Sequence, residues 1–370
     1  MTELSPIAQA DPLALPAPIW LLWTLLLITF VLHVVPMNLV LGGSILTAIA
    51  RLRAARDPHQ ARLVQIATPA MPVAIAATVT FGVAPLLFVQ VLYGRLFFTS
   101  SVLMAWWWLG VVLLVLAAYY GAYVLAYGRA VRGAAAWVIG GLMAAAFILV
   151  AFIYSNNMTL MLRPDLFVGR FLADQHGTGL SSGDPTLWPR YLHMVFGALA
   201  VAGLALARVG TRRERAEPTF AAWAMRTGSR WAAWTTAANV LTGVWWFGAL
   251  PPDIAARLQG GDVWATVTFV IGLLAGVAVL GLLVAAAVSA RPAPHVRSAV
   301  HAMLLTIVLM VVIRDQVRQG ALQAAGYQPA TWIEPQWSAI GIFVALLLVA
   351  VASVVWMASK LSAADGLRPR

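Results

Sequence analysis

Cysteine is absent from the 370 residues. That excludes disulfides, thiolate metal sites, iron–sulfur clusters and covalently attached c-type haem. Charge is scarce as well. Asp, Glu, Lys and Arg make up 10% of the chain, where soluble domains carry about a quarter. Together with 62% hydrophobic residues, this excludes an ordinary soluble fold. A net charge of +11 can signal nucleic acid, but membrane topology accounts for it here, and no nucleic-acid partner is expected. The first residues carry Glu3 and Asp11 with no Lys or Arg, so the positive n-region of a cleavable signal peptide is missing. No internal repeat and no low-complexity segment is evident.

What is present is a series of apolar runs long enough to cross a bilayer. Lipid offers no partners to backbone groups, so such runs must be helices. The expected fold is an all-α integral membrane protein, one domain over 1–370, lying in the bilayer. Nine spans are predicted, roughly 17–50, 66–92, 97–127, 134–158, 188–208, 224–250, 262–289, 297–314 and 337–360. The longest predicted loop runs from Thr159 to Pro189.

Basic residues sort onto alternate loops. Arg51, Arg53, Arg56, Arg62, Arg129, Arg132, the six arginines from Arg208 to Arg230, Arg291, Arg297, Lys360, Arg368 and Arg370 fall on one side, 17 in all. The other side holds seven: Arg95, Arg163, Arg170, Arg190, Arg257, Arg314 and Arg318. The positive-inside rule then predicts the N-terminus outside and the C-terminus inside, in a bacterial cytoplasmic membrane. Trp106–Trp108, Trp245–Trp246 and Trp332–Trp337 suit helix ends and interfacial belts.

The predicted spans contain no carboxylate at depth; Asp262 and Asp315 only touch helix ends. This argues against a proton-driven transporter. Histidine remains. His59 and His176 fall in loops and His295 at the inner edge, whereas His33, His193 and His301 lie within spans. An intramembrane imidazole is either a haem ligand or a hydrogen-bonded structural residue. Depth separates the three. At 1.5 Å per residue, His193 lies about 5 Å below outer Arg190, and Met310 about 6 Å below Arg314. His33 is about 27 Å from inner Arg51 in a core about 30 Å thick. These three share the outer half, while His301 falls near the inner face. Tyr154, Asn156, Asn157 and Arg163 form a second polar group that suits either a quinone carbonyl or a helix cap. The run Arg314-Asp315-Gln316-Val317-Arg318 suggests a short amphipathic surface helix.

Two of these spans resemble cytochrome bd quinol oxidase subunit I. In that family the first helix carries a haem-ligating His followed by Pro and, nine residues on, Gly; here His33, Pro36 and Gly42 occur, with the Pro displaced by two positions. The family's fifth helix opens with Arg, an aromatic residue and an axial His; here it reads Arg190-Tyr191-Leu192-His193-Met194, then Gly197 and Gly203. Thr80 to Gln90 resembles the Gly-x-Pro entry to the family's third helix, and Gly326-Tyr327-Gln328-Pro329 its Gly-Arg-Gln-Pro-Trp. The departures are specific. Leu86 and Leu87 replace the family's acidic residue after the Pro, and its late-helix Glu ligand has no expected counterpart. The loop that forms its quinol site shrinks to Pro251–Val263, and Met310 is only a positional substitute for the axial Met.

The resemblance implies a b-haem electron-transfer protein working between the quinone pool and a periplasmic cytochrome or other redox subunit. It implies one or two haems b, with His193 and Met310 ligating one, His33 another, and Arg190, Arg314, Arg318 and Arg163 facing propionates. An intact oxygen reductase is not expected. The alternatives are a haem-free quinone-binding anchor of a larger complex, and a transporter or scaffold with structural histidines.

Overall fold

The computed structural model of the chain describes residues 13–128, 131–328 and 332–367. Glu3, Asp11, Arg129, Pro329, Arg368 and Arg370 lie outside the described residues. Within them the protein is all-helical: α1 (Ile19–Arg53), α2 (Pro58–Leu103), α3 (Ala105–Tyr127), α4 (Gly133–Met161), α5 (Phe167–Ala173), α6 (Leu187–Arg213), α7 (Pro218–Gly248), α8 (Pro252–Ala256), α9 (Val263–Val288), α10 (Pro292–Ala324) and α11 (Trp337–Leu367). Eight are long and apolar enough to cross a membrane. The ninth long helix, α7, is more polar, with Arg226, Ser229, Arg230 and several threonines, but occupies the place of the sixth predicted span. The chain is a multi-pass membrane protein.

Three boundaries differ from expectation, each for a physical reason. The second and third spans do not part near residue 95. α2 only kinks there, at Tyr93 (φ −135°, ψ 33°), and runs on to Leu103. Its last turns carry Leu96, Phe97 and Leu103, which read as the start of another span but are buried against Leu160, Met161 and Phe167. The eighth span does not stop at Arg314. α10 continues through the charged run to Ala324, because Asp315 is paired within the helix with Arg318 and Gln319. This segment is no surface helix, since Asp315 is 6% exposed. The loop between Thr159 and Pro189 contains a 3₁₀ turn, Pro164–Leu166, and α5.

The expectation of no internal repeat is also corrected. A shift of about 160 residues carries α1–α4 onto α6, α7, α9 and α10: helix starts at 58, 105 and 133 meet starts at 218, 263 and 292. His33 falls on His193, Arg53 on Arg213 and Pro58 on Pro218. The packing repeats too. α1 packs on α2 and α4, and α3 on α2 and α4; α6 packs on α7 and α10, and α9 on α7 and α10. Two four-helix groups result. They meet mainly along α1 and α6, where a Cβ at Gly42 would lie 2.0 Å from the Ala198 carbonyl oxygen, so only glycine permits the approach. α11 stands at the edge, with Phe343 edge-on to Phe88 of α2. Before it, residues 332–336 pair with the N-terminal segment through Leu15 and Pro16.

Candidate functional site

The shift that superposes the two helix groups brings two histidines into matching surroundings. His33 on α1 has its Nδ1 3.0 Å from the carbonyl oxygen of Thr78 on α2. His193 on α6 has its Nδ1 3.0 Å from the carbonyl oxygen of Asn239 on α7. A carbonyl oxygen only accepts, so each Nδ1 carries the proton and each Nε2 keeps its lone pair. In both cases the residue four positions after the carbonyl is glycine, Gly82 and Gly243. A Cβ at Gly82 would lie 2.8 Å from His33 Cε1, and one at Gly243 3.4 Å from His193 Cε1. The imidazoles therefore occupy space that a side chain on the neighbouring helix would fill. Thr242 Oγ1 donates to the same Asn239 carbonyl at 3.0 Å and lies 3.5 Å from His193 Nδ1. Asn239 Oδ1 beside this arrangement is buried without a partner.

The arginines divide into engaged and free. Arg163 pairs with Asp165 at 2.8 Å and with Asp184 at 3.1 Å, and its guanidinium holds the Asp165 carboxyl below the usual carboxylate range. Arg318 is paired with Asp315 and lies over the Tyr93 ring at 5.0 Å. Arg190 and Arg314 make no ion pair. Arg190 donates to Thr159 Oγ1 at 3.2 Å. Arg314 lies over the ring of Phe30 at 4.7 Å, and that ring is 6.3 Å from the His33 imidazole. Met310 sits one turn before Arg314 and is partly buried. Its helix reaches α6 through Ile307, which clusters with Ala200 and Leu204. His301 is exposed, away from this cluster.

The polar group at the end of α4 has a different occupation. Asn156 and Asn157 are both 0% exposed. Asn156 donates to the Phe152 carbonyl and accepts from the Ser181 amide. Asn157 accepts from Ser100 Oγ and donates to Ser101 Oγ. Tyr154 stacks near Trp108, with centroids 4.8 Å apart. With Arg163 turned to its two acids, these residues tie α4 to the end of α2 and to the following loop. No amide is left to reach a quinone carbonyl.

The expectation that no carboxylate lies inside the bundle fails at Asp315. It is buried among Arg318, Gln319 and Tyr93, whose hydroxyl accepts from Trp23 Nε1 at 3.1 Å. The acidic residue thought to be missing from the late helix is therefore present, and the objection to oxygen chemistry built on its absence loses its premise. The segment Pro251–Val263 is compact, with α8 followed by a π-helical turn over Arg257–Gly261 in which Gly260 has φ 117°. Among the described residues no group of three or more His, Asp or Glu side chains converges to hold a metal ion by itself.

No family model matches the chain, and no curated protein matches it in sequence. Its fold, however, matches the solved structure of bd oxidase from Geobacillus thermodenitrificans with a TM-score of 0.71 at 13% identity, covering 96% of this chain and 100% of that one. The resemblance carried by the two histidine segments thus holds at the level of the whole architecture: this chain is a divergent all-helical membrane protein with a cytochrome bd oxidase fold.

Proposed function

We propose that this protein is a b-haem electron-transfer protein of the membrane, exchanging electrons between the quinone pool and a partner redox subunit. The observation that carries the proposal is the paired arrangement of His33 and His193. Each is fixed in one tautomer by a backbone carbonyl opposite a glycine, and each keeps Nε2 as a base. A second hydrogen bond that fixes tautomer and ring orientation is what iron-ligating histidines use. The fit extends to charge. Arg190 and Arg314, without acidic partners, suit the two carboxylates that a haem carries, because a guanidinium fork matches a carboxylate. Haem b, when bound, supplies a one-electron iron couple.

The chain's own residues divide the remaining work. His193 would bind iron on α6, with the Met310 thioether as the second axial donor. His33 would bind iron on α1, where the shift of 160 residues sets Val150 in the place of Met310, so that site has no matching thioether. Thr242 and Asn239 hold the His193 ring, and Thr78 holds the His33 ring. Asp315 offers a proton-accepting group on α10 close to Arg314.

The test is a reduced-minus-oxidised visible spectrum of the detergent-purified full chain, with pyridine haemochrome quantitation and a CO-difference spectrum. One or two b haems per chain are expected, with CO binding at an open His33 site. His193→Ala should remove a low-spin band and His301→Ala should leave the spectrum unchanged. Colourless protein made under adequate haem supply would overturn the proposal and return the histidines to structural roles.

A further inference from the structure

At the other end of the first helix group from the histidines, Arg51 turns inward. It is the first charged residue after the 32 uncharged residues that begin α1. Its side chain does not extend to solvent beside Arg53, which is exposed. It enters the space between α1, α2, α3 and α4. Nη2 donates to Thr68 Oγ1 on α2 at 2.6 Å, and that hydroxyl donates onward to the Val64 carbonyl. Nε is buried with no partner. On α4, Gly140 leaves the room: a Cβ there would lie 3.1 Å from Arg51 Cδ and 3.3 Å from Nε. Arg51, Thr47, Thr68, Met71, Leu125 and Met143 line a crevice of about 200 Å³.

Among the described residues Arg51 makes no ion pair. Enclosing a guanidinium without a counter-charge costs several kcal/mol even after relaxation. Yet the fold makes room for it with a glycine and orients it with a threonine. The position also sets what compensates the charge. Arg51 lies two residues from the end of α1, where the apolar run gives way to arginines, and so at the depth of lipid headgroups. The anion present there in any bilayer is phosphate, and a guanidinium fork matches phosphate oxygens.

We propose that Arg51, with Thr68 and the space left by Gly140, forms a binding site for a phosphate-bearing anion. A phospholipid headgroup entering between the helices and a free phosphate ion share that chemistry. The site is independent of any haem.

The experiment uses the full chain, purified and delipidated in detergent, with dioleoylphosphatidylglycerol and inorganic phosphate as probes. Native mass spectrometry counts retained lipid, and thermal unfolding follows both probes. Wild-type protein should retain phosphatidylglycerol and unfold at higher temperature with it. Arg51→Gln should bind it about tenfold more weakly and lose the thermal response, a difference of about 1.4 kcal/mol. Arg53→Gln should behave as wild type. Gly140→Val keeps the charge but displaces the side chain, and should weaken binding even if Arg51→Gln does not fold. A response to phosphatidylglycerol alone assigns the site to a lipid headgroup, and a response to both assigns it to phosphate itself. No response in wild type, or equal binding by all four proteins, overturns the proposal.

Discussion

The imidazole of His33 reaches the Thr78 carbonyl because residue 82 has no side chain. His193 is held the same way, but its glycine stands farther off, and this difference is testable. Gly82→Ala forces a Cβ to within 2.8 Å of His33 Cε1, whereas the same change at Gly243 brings it to 3.4 Å from His193 Cε1, an ordinary contact. Gly82→Ala should therefore cost about 1–3 kcal/mol by overpacking and remove the spectral contribution of the His33 site. Gly243→Ala should preserve that of His193. Reduced-minus-oxidised spectra of the two variants, with their melting temperatures, give the comparison. The histidines themselves were legible in the sequence, since an imidazole inside an apolar run stands out and helix rise gives its depth. Their glycine partners were not. Gly82 lies 49 residues from His33 and Gly243 50 from His193, and only the register between packed helices joins them.

At the scale of the helix, the sequence marked existence better than ends. Charged residues are the cue for leaving the membrane, and α10 defeats that cue by neutralising Asp315 within its own turn. The pair predicts its own cost. Asp315→Asn leaves the Arg318 guanidinium, largely enclosed, without its anion and should destabilise the protein by about 3–5 kcal/mol. Adding Arg318→Met should recover part of the loss, as read by thermal unfolding of the single and double variants. A second pair joins elements of the two groups. Arg62 on α2 donates twice to Glu217 at the start of α7, at 2.7 and 2.8 Å, and Arg213 on α6 also pairs with it. With Arg62 the leading cause, these contacts push the Glu217 carboxyl down to about 2. A depressed carboxylate stabilises fully above its ordinary pKa, near 4.5, and loses that contribution as pH falls toward 2. Glu217→Gln should thus lower the melting temperature slightly at pH 7, as suits a solvent-screened pair worth about 0.2–1 kcal/mol. The gap to wild type should shrink steadily below pH 4.5.

For the whole molecule, the nine-helix count followed from lipid thickness and the alternation of arginines, and these signals are strong because the bilayer imposes them on every span. The duplication was hidden for the opposite reason. Lipid-facing positions accept any apolar residue, so the two halves keep little beyond His33 and His193, Arg53 and Arg213, and the acid–Pro starts Asp57-Pro58 and Glu217-Pro218. The repeat nonetheless fixes a geometric relation. Each histidine stands 20 residues before the arginine that ends its helix, so both lie at one level of the bilayer. Moving an elementary charge through the whole membrane field involves about 2.3 kcal/mol per 100 mV. An electron passing from one level site to the other travels across the field lines and gains or loses almost none of this. On the haem proposal, the equilibrium between the two sites is blind to voltage, and the membrane potential acts only on steps that bring charge to that level or take it away.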